Sequence, residues 1–146
     1  MNAKYMNEAL SLARLAAEAD EVPVGAVIVK DDKIIAAAHN LTKTRKDATA
    51  HAEMLCIKAA QQKLGSDHLF GCELYVTLEP CPMCAGAIIN AKIDEVIYGA
   101  ADPKGGAVDS KINLFAQNFN HSPTVYGGIK EQECKKLLQE FFEDKR

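Results

Sequence analysis

No stretch of this chain is long and apolar enough to span a bilayer, and its start lacks a signal-peptide pattern. The expectation is a cytoplasmic protein with no membrane partner. Low-complexity segments and internal repeats are also missing, which leaves a single domain over residues 1–146. A large positive charge is absent too: the formal net charge is −3 and the pI about 5.8. That excludes a protein gripping nucleic acid through bulk charge, but it leaves room for local basic surface. Lys43, Arg45 and Lys46 cluster in one segment, and Lys104 and Lys111 lie in another. Each of these reads equally well as a solvated side chain. Hydrophobic residues make up 48% of the chain, enough for a real core. The five cysteines are odd in number and follow no secretory signal, which argues against a disulfide framework. In a reducing compartment their thiols stay available for metal.

What is present is concentrated in two short motifs. His51-Ala52-Glu53 is followed thirty positions later by Pro80-Cys81-Pro82-Met83-Cys84. A catalytic zinc site commonly uses three protein ligands and leaves the fourth position for water, whose pKa the metal lowers to about 7. His51, Cys81 and Cys84 are candidate ligands. Cysteine binds as thiolate, so the site needs something that favours negative sulfur. A helix beginning at 81 meets that need: Pro82 suits the first turn, and free N–H groups at the positive dipole end face the sulfurs. Glu53 stands two residues from His51, a spacing that does not share a face in mid-helix. The two converge if His51 sits at a helix entry and Glu53 in its first turn, with Asp47 and Thr49 as candidate caps. Glu53 is then beside the metal without ligating it, placed to move protons.

Other readings of the same residues exist. Cys-x-x-Cys alone is also a redox pair, or two ordinary cysteines at a helix start. A structural zinc site wants a fourth protein ligand, and Cys56, Cys72, Cys134, His39, His68 and His121 are available. A zinc-stabilised binding module without catalysis is a further class. It has no use for the carboxylate of Glu53.

Periodicity predicts a helix over 5–19 and two strands, 23–29 and 33–38, joined as a hairpin at Asp31-Asp32. Helices follow at 52–64, 81–91 and 131–142, with strands at 73–78, 95–100 and, weakly, 124–126. Strands alternating with helices imply an α/β layered sheet opened by an antiparallel hairpin. Both halves of the zinc motif then begin helices on one face.

The His-x-Glu and Pro-Cys-x-x-Cys pair resembles the signature of zinc nucleobase deaminases. Beyond it, Glu21-Val22-Pro23-Val24-Gly25-Ala26-Val27, His39-Asn40, Asp47-Ala48-Thr49-Ala50, Leu74 through Ala87, Gly99 through Ala107, Asn120-His121 and Glu133-Cys134 through Phe141-Phe142 resemble the tRNA-specific adenosine deaminases of the cytidine deaminase-like superfamily. The resemblance spans essentially the whole chain. It implies a three-layer α/β/α sandwich with a mixed sheet, a zinc cofactor, a homodimer, and hydrolytic deamination of adenosine to inosine at the wobble position of a tRNA anticodon. It makes His51, Cys81 and Cys84 the zinc ligands and Glu53 the proton shuttle, protonating adenine N1 and then the departing ammonia. It matches Asn40 to a nucleoside contact and Asp102 and Lys104 to a loop beside the anticodon stem-loop. Phe141 and Phe142 match terminal-helix aromatics near the RNA, where an aromatic can stack on a base for about 1–3 kcal/mol. Plain core packing is the alternative for one of the two, and closing a strand end is the alternative for Asn40.

Two places depart from the family pattern. Ala101 stands where arginine is common, and Glu143-Asp144 follow the aromatics where a basic extension is common. Both remove positive charge from the RNA side and leave the zinc chemistry untouched. The closest rival is a small-molecule deaminase acting on guanine or cytosine, which uses the same zinc group.

Overall fold

Asp31 and Asp32 both adopt positive φ, 49° and 62°, in the computed structural model, which describes residues 1–145. Two successive left-handed residues make the tight turn whose twist suits a hairpin. It joins β1 (Gly25–Lys30) to β2 (Lys33–His39), which pair antiparallel with a register shift at Ile28/Val29. Helix α1 (Ala3–Glu18) precedes them. After β2 come a single-turn helix α2 (Thr42–Arg45), α3 (Ala52–Leu64), β3 (Cys72–Leu78), α4 (Pro82–Ala91), β4 (Glu95–Ala100), β5 (Thr124–Tyr126) and α5 (Glu131–Glu143). A 3-10 turn covers Leu114–Ala116.

The sheet order is β2-β1-β3-β4-β5. β1 runs antiparallel to both β2 and β3, whereas β3, β4 and β5 run parallel. This is the expected mixed sheet. Its central strands are buried on both faces, so their side chains sort by parity into two cores. Ala26, Ile28, Leu74, Val76 and Val96 face α3 and α4, where Cys56, Ile57, Ala60, Ile88 and Ile89 close over them. Val27, Val29, Tyr75 and Ile97 face the other way, against Tyr5, Met6, Ala9 and Leu10 of α1 and Cys134 of α5. The result is three layers, α/β/α.

Predicted and observed elements agree within two residues at their ends. α2 and the turn at 114–116 were not foreseen, because four and three residues carry too little periodicity to read. Among the described residues no helix is long and apolar enough to cross a membrane. Arg146, at the end of the tail read from sequence, lies outside the described residues.

The α1 layer sits close to the sheet at one point. A Cβ added to Gly25 would overlap the carbonyl oxygen of Ala9 and crowd Ala13 N in α1. The Gly25 N–H also donates to Thr77 Oγ1 at 3.1 Å. Backbone cannot retreat as a side-chain tip can. Gly25→Ala should therefore cost about 1–3 kcal/mol, the range of overpacked cores, seen as a lower urea midpoint. An unchanged midpoint would mean that α1 shifts freely over the sheet.

Candidate active site

β2, β3 and β4 all point their carboxyl ends at the same edge of the sheet, the place where open α/β sheets commonly take ligands. α3 and α4 start there. His51 is the N-cap of α3 and Cys81 the N-cap of α4, both in extended backbone (φ −69°, ψ 152° and φ −77°, ψ 174°). Neither side chain caps its own helix, so both are free to point outward. Pro82 occupies the first turn of α4 as expected. The expected capping by Asp47 and Thr49 is not found. Asp47 instead accepts the Thr49 N–H at 2.8 Å and its hydroxyl at 2.7 Å, closing a turn before the helix. That turn leaves the N-cap position to a ligand residue.

His51 Nδ1 lies 3.6 Å from both Cys81 Sγ and Cys84 Sγ. One donor atom from each residue lies within 4.8 Å of the others, and among the described residues no fourth donor joins them. An imidazole and two sulfurs at this separation fit a tetrahedral metal with one open position. The other candidates, Cys56, Cys72, Cys134, His39, His68 and His121, stand outside the cluster. The three residues can therefore hold a metal ion, and Glu53 is not one of the set.

The charges of the cluster are uneven. A hydrogen bond from the Cys84 thiol, joined by one to His51 and the Cys84 backbone N–H, holds the Cys81 thiol down at about 4. The same thiol–thiolate bond, with burial and the Glu53 carboxylate, pushes Cys84 well up. The helix N-terminus is expected to favour negative charge on both sulfurs, whereas the hydrogen bonding between them lowers Cys81 and raises Cys84. The hydrogen bond to Cys81 raises His51. Glu53, 4% exposed in the first turn of α3, is pushed up to about 7, chiefly by burial. A carboxyl group balanced near neutrality is suited to taking up and giving back a proton.

A cavity of about 260 Å³ opens over this cluster. Val22, Val24, Leu78 and Ala52 supply apolar walls, and Asn40, Thr42, Glu79 and Asp102 join His51, Glu53 and Cys81 as polar lining. Asn40 is 6% exposed; its Oδ1 accepts the Thr42 N–H at 3.3 Å and its Nδ2 donates to Val22 O at 3.5 Å. Asp102 Oδ1 accepts the N–H groups of Lys104 and Gly105, both at 3.1 Å. Lys104 is exposed on the same loop but does not line the cavity. Phe142 does not line it either: it is 51% exposed on α5 and meets Phe141 edge-on at 5.3 Å, while Phe141 is buried at 8%. Phe141 is thus the one that packs.

Two residues escaped notice in the sequence. Thr42 stands in a helix too short to read. Glu79 lay inside a quoted motif without a role; the signal was an acid directly after the strand end and before the Cys-x-x-Cys segment. Burial acts to raise its pKa, but the Ser110 hydroxyl and the N–H groups of Ser110, Asp102 and Asp109 outweigh it and hold it down.

Known proteins share this chain's sequence and fold. The MafB19-like deaminase family matches residues 1–146. A protein of Agrobacterium fabrum named tRNA-specific adenosine deaminase is 50% identical over 143 residues, covering 97% of this chain and 94% of that protein. This chain belongs to the tRNA-specific adenosine deaminase family. A solved structure from work on A-to-I editing by tRNA:A34 deaminases at the wobble position superposes with a TM-score of 0.91. It is 49% identical and covers 94% of this chain and all of that one. The guanine deaminase of Nitrosomonas europaea has the same fold at greater distance, TM-score 0.85 and 27% identity, over 97% of this chain and 84% of that one.

A metal ligand must be deprotonated, whereas the hydrogen bond to Cys81, burial and the Glu53 carboxylate favour the protonated form of Cys84. Uptake of a divalent ion near neutral pH should therefore release protons and weaken as the pH falls. Calorimetry in two buffers of different ionisation enthalpy measures the release, and Cys84→Ser should abolish both it and the metal-dependent rise in Tm. Uptake without proton release would mean that both sulfurs are already ionised.

Proposed function

We propose that this chain is a zinc-dependent deaminase that converts adenosine to inosine at the wobble position of a tRNA anticodon. The observation that carries the reading is the open three-donor cluster beside a buried carboxylate, in a chain half identical to a named tRNA-specific adenosine deaminase. In this reading residues 1–146 form one zinc deaminase domain, working in the cytoplasm as a homodimer.

His51, Cys81 and Cys84 would hold the ion. Two thiolates with one imidazole favour zinc among the common divalent metals. When bound, zinc supplies a water acidic enough to serve as nucleophile at neutral pH. Glu53 does the proton work. It would take a proton from the attacking water and pass it to N1 of adenine as the oxygen adds to C6. It would then carry the proton of the new C6 hydroxyl to the exocyclic nitrogen as the C6–N bond breaks and the C6 carbonyl forms. Adenosine and water become inosine and ammonia, and Glu53 ends as it began. Asn40, fixed by its own hydrogen bonds at the cavity wall, keeps its amide where a nucleoside edge would meet it. Asp102 and Lys104, on the loop after β4, and Phe142, exposed on α5, would be the RNA contacts.

The cavity suits one base, so the target must leave its stack to enter. A wobble base in an anticodon loop is already unpaired, which makes extrusion inexpensive. The reading of a small guanine- or cytosine-deaminating enzyme keeps the same zinc group and the same fold, as the Nitrosomonas structure illustrates. The greater identity to the tRNA enzymes favours RNA.

Purified, metal-analysed protein should form inosine in an anticodon stem-loop with adenosine at the wobble position and leave free adenosine, guanine and cytosine unchanged. Turnover of a free base with the stem-loop untouched would move the protein to small-molecule salvage. Glu53→Gln should keep zinc and Tm while lowering kcat at least ~10²-fold, the lower range for a general acid–base group. Full activity in that variant would remove Glu53 from the mechanism. Light scattering should give twice the 15.9 kDa chain mass; a single chain mass would exclude the dimer.

A further inference from the structure

Two more carboxylates are buried at this edge of the sheet, and neither belongs to the metal cluster. Glu21 is fully buried. Its Oε1 accepts the Lys43 N–H at 3.0 Å, and its Oε2 accepts the Thr44 N–H and hydroxyl, each at 2.6 Å. Glu79 is 2% exposed. Its Oε1 accepts the Asp102 N–H at 3.0 Å and the Ser110 hydroxyl. Its Oε2 accepts N–H groups from Val108 at 3.3 Å, Asp109 at 2.9 Å and Ser110 at 2.8 Å. The backbone has been shaped around it: a Cβ on Gly106 would overlap the Glu79 carboxylate.

Burying a carboxylate is costly, and an apolar side chain would serve packing alone better. Charge-assisted bonds from several N–H groups offset the cost and, in doing so, dictate a backbone conformation. What they dictate here is two loops. One leaves the end of β2, contributes Asn40 and Thr42 to the cavity, and carries exposed Lys43, Arg45 and Lys46. The other leaves the end of β4, contributes Asp102, and carries exposed Lys104 and Lys111. β1 and β3 lie between those two strands, so the loops flank the cavity.

We propose that Glu21 and Glu79 are positioning residues for a polynucleotide substrate, each fixing one cation-bearing loop at the cavity mouth before RNA arrives. The proposal rests on the RNA reading above. A chain with net charge −3 has no bulk attraction for phosphate, so lysines and arginines must be held where the strand passes. Preformed loops spare the cost of ordering them on binding.

Glutamine tests this with the same shape. At position 79 the amide NH2 cannot face the three N–H groups at Oε2, so it takes the Oε1 place. There Ser110 can turn its hydroxyl to accept, and Asp102 N–H loses its acceptor. At position 21 the NH2 meets Lys43 N–H in the same way. For Glu79→Gln and Glu21→Gln, KM for the stem-loop should rise roughly tenfold with kcat within about twofold, the pattern of lost uniform binding. The dependence of log KM on log salt should become shallower as phosphate contacts are lost. Thr44→Val and Ser110→Ala, both at exposed positions, remove one hydroxyl donor each without entering the core and should raise KM in the same direction by less.

Tm and zinc content are measured alongside. Wild-type KM and salt slope in all four variants would overturn the proposal. So would a fall in kcat that tracks lost zinc or lost fold at constant KM, which is the signature of a merely structural role. Wild-type protein inactive on the stem-loop would instead sink the RNA reading, and this proposal with it.

Discussion

The site depends on two helix N-termini meeting over one edge of the sheet. His51 and Cys81 are thirty residues apart, and neither helix alone gathers a metal-binding set. Parallel pairing of β3 with β4 and antiparallel pairing of β1 with both β2 and β3 turn the carboxyl ends of β2, β3 and β4 the same way. α3 and α4 then begin side by side, packed through Cys56, Ile57, Ala60, Ile88 and Ile89 onto a common core. The 3.6 Å approach of one imidazole nitrogen to two sulfurs is a consequence of that packing. A site resting on the ends of rigid elements keeps its geometry more closely than one carried by loops.

Burial is used selectively around this cluster. Burial of Glu53 outweighs the hydrogen bonds and the His51 charge that favour its ionised form, so its pKa rises to about 7. Glu21 and Glu79 are equally hidden, yet backbone N–H groups and hydroxyls surround them and hold their pKa values down. Three buried carboxylates therefore divide into one whose pKa is raised and two whose pKa values are held down. Hydrogen bonding decides the division. Every buried side-chain nitrogen and oxygen among the described residues has a partner, as a native polar network requires.

The sequence motif spoke for chemistry but not for conformation. His-x-Glu and Cys-Pro-x-Cys pointed to the side chains that cluster and to the helix starts, because helix N-termini leave a local signature such as Pro82. The ends of α3 and β4 were read to the residue, since strong periodicity bounded by turn residues is a local property, and the weakly signalled β5 also matched. α2 was invisible. Two of its four residues, Lys43 and Thr44, are held by Glu21, a partner more than twenty positions away, and no local pattern encodes such a contact. Phe141 and Phe142 were indistinguishable because adjacent residues on a helix point about 100° apart, and only the neighbouring layer decides which is covered.

By itself, the sequence determined what the site is made of: one imidazole, two thiols, a carboxylate, and the α/β rhythm that supports them. Those follow from residue identity and short-range periodicity, which survive without any knowledge of the fold. The tertiary structure decided where charge resides within the cluster and that Phe142 stands outside the cavity wall. It also decided that Glu79 organises the loop carrying Asp102. Each of these depends on which groups are excluded from water and which distant N–H groups reach them, and a linear chain holds neither until its layers close.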